Sequence, residues 1–363
     1  SQAALIDENG SPVYLTPKMD KQEEIYTQAM QYLDDAIADL QKEDLIDPEA
    51  QDLLYQGDAE KWLKLAYGLK ARYTMHLLKR SANKDADMEK VLEYVNNSFE
   101  SAEEQAAFDV YDANNINPLY GFFVARAGLG ASESMRSKLA EYNDPRLSRA
   151  FITKQGTSGK EQAPGTADNA VYAPNGTPEQ GTSKYGTSLF MYSISAPTLL
   201  LSYHELKFLE AEALCRLERD AKSALKDAVV AGLLNAENSF TISRKELGKT
   251  LINAASSITE AEAESYFDNT IEAKYTAEPL KTTMTQKYFA LWGASGEATE
   301  SYNDVRRMKG LGENFIELKN PNSFPLRCPY GNSDTTTNAE VKAAYGNGQY
   351  VYSENVWWAG GSR

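Results

Sequence analysis

Two histidines and two cysteines are the whole supply of soft metal ligands in this chain, and their spacing forms no site. His204-Glu205 opens like a zinc-protease helix, where a second histidine four residues on completes the grip and the glutamate acts as base. Phe208 stands there instead. His76 and His204 both fall in helical stretches, as packed or hydrogen-bonded side chains. Cys215 and Cys328 belong to no Cys-x-x-Cys pair, and two Cys with two His cannot close a zinc site alone. Cys215 reads as a buried thiol among apolar neighbours; a disulfide between the two remains open from sequence. Gly128-Leu129-Gly130 begins a dinucleotide loop, but Glu133 occupies the third glycine position. No Walker loop and no Gly-x-Ser-x-Gly elbow occur. Glycoside cleavage needs two carboxyls across one gap. With 52 acidic residues, close pairs arise by composition alone. Glu210 and Glu212 are one such pair, and on a helix they project in different directions. No catalytic residue, metal site or cofactor is expected.

The aromatic side chains are more informative. Tyr outnumbers Phe, 22 to 12, with 4 Trp. A tyrosine ring offers a flat apolar face and a polar tip, suited to half-exposed binding surfaces and to the C–H faces of sugar rings. Tyr111, Tyr120, Phe122, Phe123, Tyr172 and Tyr185 gather in or beside an irregular middle region. Tyr120, Phe123, Tyr172 and Tyr185 are the expected ligand contacts. Trp292 is expected in the core, and Trp357 and Trp358 are expected to cover it at the C-terminus. The formal net charge of -15 repels phosphate backbones, so nucleic acid is not expected as a partner and a neutral or cationic ligand fits better.

These residues must be positioned by helices. Tyr26, Met30, Leu33, Ile37 and Leu40 recur at spacings of an amphipathic helix, after the start signals Pro17 and Asp20. Gly57-Asp58 breaks the chain and caps a second helix to about residue 79, with Trp62, Leu65, Leu69 and Tyr73 on one face. A shorter helix is expected at about 87–99. Periodicity returns near Thr198 and runs through Leu217, apolar on two faces and therefore buried between neighbours. Its partner spans about 221–234. Further helices are expected at about 260–276, 280–293, 299–309 and 338–345. Helix pairs with small residues at their contacts resemble degenerate tetratricopeptide units. Residues 153–188 are rich in Gly, Ser, Thr, Pro and Asn, a length of irregular chain that is either functional or disordered. The run from Tyr185 to His204 is uncharged but broken by Gly186 and Pro197, so it cannot span a membrane. No signal peptide opens the chain.

Several segments resemble the SusD/RagB family. Gly57-Asp58-Ala59-Glu60-Lys61-Trp62-Leu63-Lys64-Leu65-Ala66 is similar to a family helix opening, with Tyr67-Gly68 where the family has Asn-Ser. Tyr142-Asn143-Asp144-Pro145-Arg146-Leu147 resembles its Asp-Pro-Arg segment. The stretch from Leu201 to Ala213 resembles its most recognisable helix. Tyr302-Asn303-Asp304-Val305-Arg306-Arg307 and Phe324-Pro325-Leu326-Arg327-Cys328-Pro329-Tyr330 resemble its late signatures. The matches keep the family's order. They read as scaffold, with Asp304 pairing Arg306 and Arg307, and Asp144-Pro145 setting a turn that starts a helix.

The resemblance implies a mostly α fold. It would be one integrated domain over 1–363: a tetratricopeptide-like scaffold at 20–100 and 199–310, a loop-rich insertion at 101–198 and an irregular part at 311–363. It implies a cell-surface binder of a glycan or similar nutrient, on the extracellular face of an outer membrane. Its expected partner is a SusC-type TonB-dependent transporter. Family members are longer and begin with a lipidated cysteine, so membrane attachment is expected through a lipidated N-terminal portion not in this sequence. Two other classes stay open: a tetratricopeptide-like scaffold that binds a peptide or protein, and a glycoside hydrolase.

Overall fold

In the computed structural model, the described residues are 5–43, 48–126, 129–155, 160–162, 171–177, 184–247, 251–252 and 256–362. The fold is mostly helical. The first helices are α1 (Gln22–Leu40), α2 (Ala59–His76) and α3 (Lys84–Asn96). Strand β1 (Ala106–Phe108), α4 (Pro118–Arg126), α5 (Glu133–Glu141), α6 (Arg146–Arg149), and strands β2 (Phe151–Gln155), β3 (Lys160–Gln162), β4 (Thr187–Ser188) and β5 (Thr198–Leu201) form the middle. Then come α7 (Tyr203–Arg216), α8 (Lys222–Leu247), β6 (Leu251–Ile252), α9 (Glu260–Tyr266), α10 (Glu272–Ala277), α11 (Pro279–Ala290) and α12 (Ala298–Leu311), and finally α13 (Asn332–Thr337) and α14 (Ala339–Tyr345).

Local chemistry sets the helix starts. The Asp58 carboxylate accepts from the Lys61 amide and caps α2. Ser202 does the same for α7 through Glu205 N, at 3.0 Å. Thr259 and Glu262 form a reciprocal capping box on α9. The helices then stack in sequence: α1 on α2, α2 on α3, α3 on α7, α7 on α8, with α11 against both α7 and α8. Gly232 permits one of these approaches: a Cβ there would lie 2.9 Å from that of Ala290. Helix α7 divides its faces between two apolar clusters. Leu206, Leu209 and Ala213 face α2 and α3, while Phe208 and Ala211 face α8 and the aromatic core.

Three expectations are corrected. The partner helix α8 continues to Leu247, because Ala236, Phe240 and Ser243 bury one face well past the expected end at 234. The helix expected over 260–276 is interrupted by a π turn at Phe267–Ile271, which buries both end residues. The middle region carries α4, α5 and α6 where little helical period is legible. These helices are short, α5 resting on a Ser132 cap and two buried side chains. The sheet there has strand order β4-β2-β3-β6, and β1 pairs antiparallel with β5. Much of the loop-rich stretch 153–188 lies outside the described residues.

Candidate functional site

The acids that could suggest catalysis are held by cations inside the scaffold. Glu205 takes a two-point contact from Arg72, with Nε at 2.8 Å. Arg307 holds Glu212 and Asp304, and Lys287 also reaches Asp304 at 2.8 Å. His204 lies 3.2 Å from Glu297, and His76 lies 2.7 Å from Glu300. Burial alone would lift the Glu212 carboxyl, but Arg307 and Arg216 outweigh it and hold it far below the usual carboxylate range. Glu210 points elsewhere, to Lys207 near the surface. Such pairs fix helix packing. Arg306 departs from the expected ion pair with Asp304. Its guanidinium lies over the Tyr302 and Trp358 rings, because Lys287 and Arg307 already hold that carboxylate. Both cysteines are free thiols. Among the described residues no group of His, Cys, Asp and Glu could hold a metal ion.

Residues 314–325 line two separate pockets, together termed the trough: one toward α5 and the start of α11, the other toward the end of α11 and α12. Its wider part, about 650 Å³, is bounded by Lys138 and Glu141 of α5, Asn175 of the adjoining loop, Lys281 of α11 and Glu317 opposite. Burial pushes the Lys138 ammonium below its ordinary value. The narrower part, about 310 Å³, is lined by the half-buried rings of Tyr288, Trp292, Tyr302 and Phe324, with Ser301 and Asn320 beside them. Burial raises the Tyr288 and Tyr302 phenols, so both remain neutral donors at physiological pH. Tyr302 donates to the Pro325 carbonyl at 2.5 Å, tying α12 to the segment. Gly176 meets Pro321 so closely that a Cβ would lie 2.5 Å from its ring, which brings the 171–177 loop to the trough edge. An apolar aromatic floor with polar groups at the rim suits a ligand with apolar faces and hydroxyl edges.

The four residues read from sequence fall into two groups. Tyr172 is half-buried, with the Arg136 guanidinium over one side and Phe151 against its edge at 5.4 Å. Phe151 in turn packs on Trp292, so Tyr172 stands one ring behind the trough wall. Tyr185 is buried beside the same local pairing, where Gly186 bonds both Val171 and Ala131. Tyr120 and Phe123 lie on α4. Phe123 is buried edge-on against Tyr192, and Tyr120 is half-exposed. Sequence reasoning missed Tyr288, Tyr302 and Phe324 because each sits in or after an ordinary amphipathic helix. Trp292, expected in the core, does pack on Phe151 and Phe190 but also lines the trough.

A family model described as starch-binding associating with outer membrane matches residues 1–330. The chain belongs to the SusD-like family. A crystal structure of a SusD/RagB family protein from Bacteroides thetaiotaomicron VPI-5482 is 66% identical, with a TM-score of 0.93, over 96% of this chain and 75% of that one. A chitin-binding protein superimposes with a TM-score of 0.66 at 21% identity, over 95% of this chain and 74% of that one. A SusD homolog from Bacteroides fragilis NCTC 9343 gives 0.70 at 19%, over 95% and 76%. The last two likenesses establish fold alone. Among curated proteins, none matches this sequence. Within this SusD-like chain, no described helix is long and apolar enough to cross a membrane.

Proposed function

We propose that this SusD-like protein binds a glycan in the trough beside residues 314–325 and delivers it, uncleaved, to a SusC-type TonB-dependent transporter. The observation that carries this reading is the gathering of four half-buried rings, Tyr288, Trp292, Tyr302 and Phe324, with Ser301 and Asn320 beside them, in one pocket of about 310 Å³. Family membership supports the ligand class and the outer-membrane setting. Attachment by a lipidated N-terminal portion and display on the extracellular face belong to the same proposal. Of the sequence-read residues, Tyr120 keeps part of its ring exposed on α4 and Tyr172 supports the trough wall through Phe151, while Phe123 and Tyr185 are buried. The mechanism is capture. Closure over a transporter would follow ligand occupancy if the ligand favours the closed form. The two apolar clusters sharing α7 support one integrated domain.

The test is calorimetric titration of the protein with a panel of polysaccharides and their oligosaccharides, with product analysis after long incubation. Saturable binding to one glycan class without new reducing ends is the expected result. Turnover of a bound glycan would replace the reading with hydrolysis, and absence of binding across the panel would remove the glycan.

A further inference from the structure

The two pockets of the trough differ in chemistry. The wider one is lined by three lysines and three glutamates, whereas no charged residue lines the narrower one. Met135, Val305 and Leu318 set aliphatic surface among its rings. The polar groups there are donors in search of an acceptor. The Ser301 hydroxyl is buried and has no hydrogen-bond partner. No described residue bonds the Tyr288 phenol, and none accepts from the Trp292 indole N–H, a group that can only donate. Tyr302 is already committed to the Pro325 carbonyl.

We infer that this narrower pocket takes the acetamido substituent of a 2-acetamido sugar, an inference that rests on the glycan reading of the trough. An acetamido methyl has no hydrogen bond to lose and meets the aliphatic and aromatic walls. Its carbonyl oxygen is an acceptor with no proton of its own, which suits Ser301, Tyr288 and Trp292 together. A plain hydroxyl would bring a further donor to these donors and would lie against Met135 and Val305 without a partner. A uronate carboxylate would enter with no cation to meet it, and a free 2-ammonium with no anion. The neutral lining therefore selects the acetylated form.

The probes are the methyl glycosides of N-acetylglucosamine and N-acetylgalactosamine, beside methyl glucoside, methyl galactoside and methyl glucosaminide. Saturation-transfer NMR should place the strongest transfer on the acetyl methyl, and titration should give at least one acetylated glycoside an affinity roughly tenfold above its unacetylated parent. Ser301→Ala should weaken the acetylated glycoside roughly fivefold and leave its parent unchanged. That hydroxyl bonds nothing in the fold, so a merely structural role predicts a melting temperature kept or raised and no change in affinity. Ala298→Phe, an exposed position at the pocket edge, should block the acetylated glycoside. Equal affinity for acetylated and parent glycosides overturns the inference and leaves the glycan reading standing, as does saturable binding of another glycan with no transfer to an acetyl methyl. Acetylated binding untouched by both variants overturns the assignment to this pocket. Absence of binding by every sugar removes both readings.

Discussion

Arg307 of α12 grips Glu212 of α7 with Nη2 2.7 Å from Oε2, and neither side chain reaches solvent. This contact locks the helix most characteristic of the family to the helix that forms one wall of the trough. Arg216 extends it, donating to both Glu212 and Glu313.

Arg307→Met should destabilise the protein by about 3–5 kcal/mol, since it leaves a buried carboxylate uncompensated. Glu212→Met with Arg307→Met should cost less than the single change. Denaturant titration of the wild type, Arg307→Met, Glu212→Met and the double variant measures this. A double variant as unstable as the sum of the singles would disprove the coupling.

Acid should weaken the fold through Glu300. Burial raises this carboxyl, but His76, Arg72 and Lys287 outweigh it and set it at about 2, below the ordinary 4.5. A folded-state value below the unfolded one contributes stability that is complete above the unfolded value. That stability is lost as pH falls from about 4.5 to about 2. The loss should reach about 3 kcal/mol at most. Melting curves across this window, compared with Glu300→Gln, isolate the contribution. An identical pH slope in the variant would remove Glu300 as its source.

Stability and affinity should separate between two phenylalanines. Phe123 is buried against Tyr192, so Phe123→Ala should cost about 3–5 kcal/mol of stability. Phe324 is half-buried on the trough wall, so Phe324→Ala should weaken an identified glycan roughly tenfold, about 1.4 kcal/mol. Calorimetry beside thermal melts reads both. Wild-type affinity in Phe324→Ala would move the ligand elsewhere.

Gly310 lets α12 touch the C-terminal turn around Trp357–Ala359. A Cβ there would lie 2.6 Å from the Ala359 carbonyl oxygen, a backbone atom that cannot step aside. Gly310→Ala should therefore cost about 1–3 kcal/mol and loosen Trp358 from its stack on His76. Near-ultraviolet circular dichroism would register the freed indole; an unaltered spectrum and melting point would show that the turn adjusts.

Sequence by itself determined the helical scaffold and the family. Apolar spacing placed α1, α2 and α7, the cap at Asp58 marked where α2 begins, and the ordered motifs identified the kin, although α7 starts only at Tyr203, after strand β5 has taken up Thr198–Leu201 where the periodicity suggested helix. These signals are local, because a helix bonds within itself and shows its buried face every three or four residues. It also separated Glu210 from Glu212 correctly, by helix geometry alone. The partners of the acids were not legible: Glu212 finds Arg307, and Arg72 finds Glu205, from distant helices. Nor was the trough, whose rings come from α11, the residues just after it, α12 and the segment beyond. Each of those rings looks like an ordinary core residue in its own helix or loop. Only packing decides which side of a half-buried ring meets protein and which meets a groove, because that depends on what other segments leave uncovered.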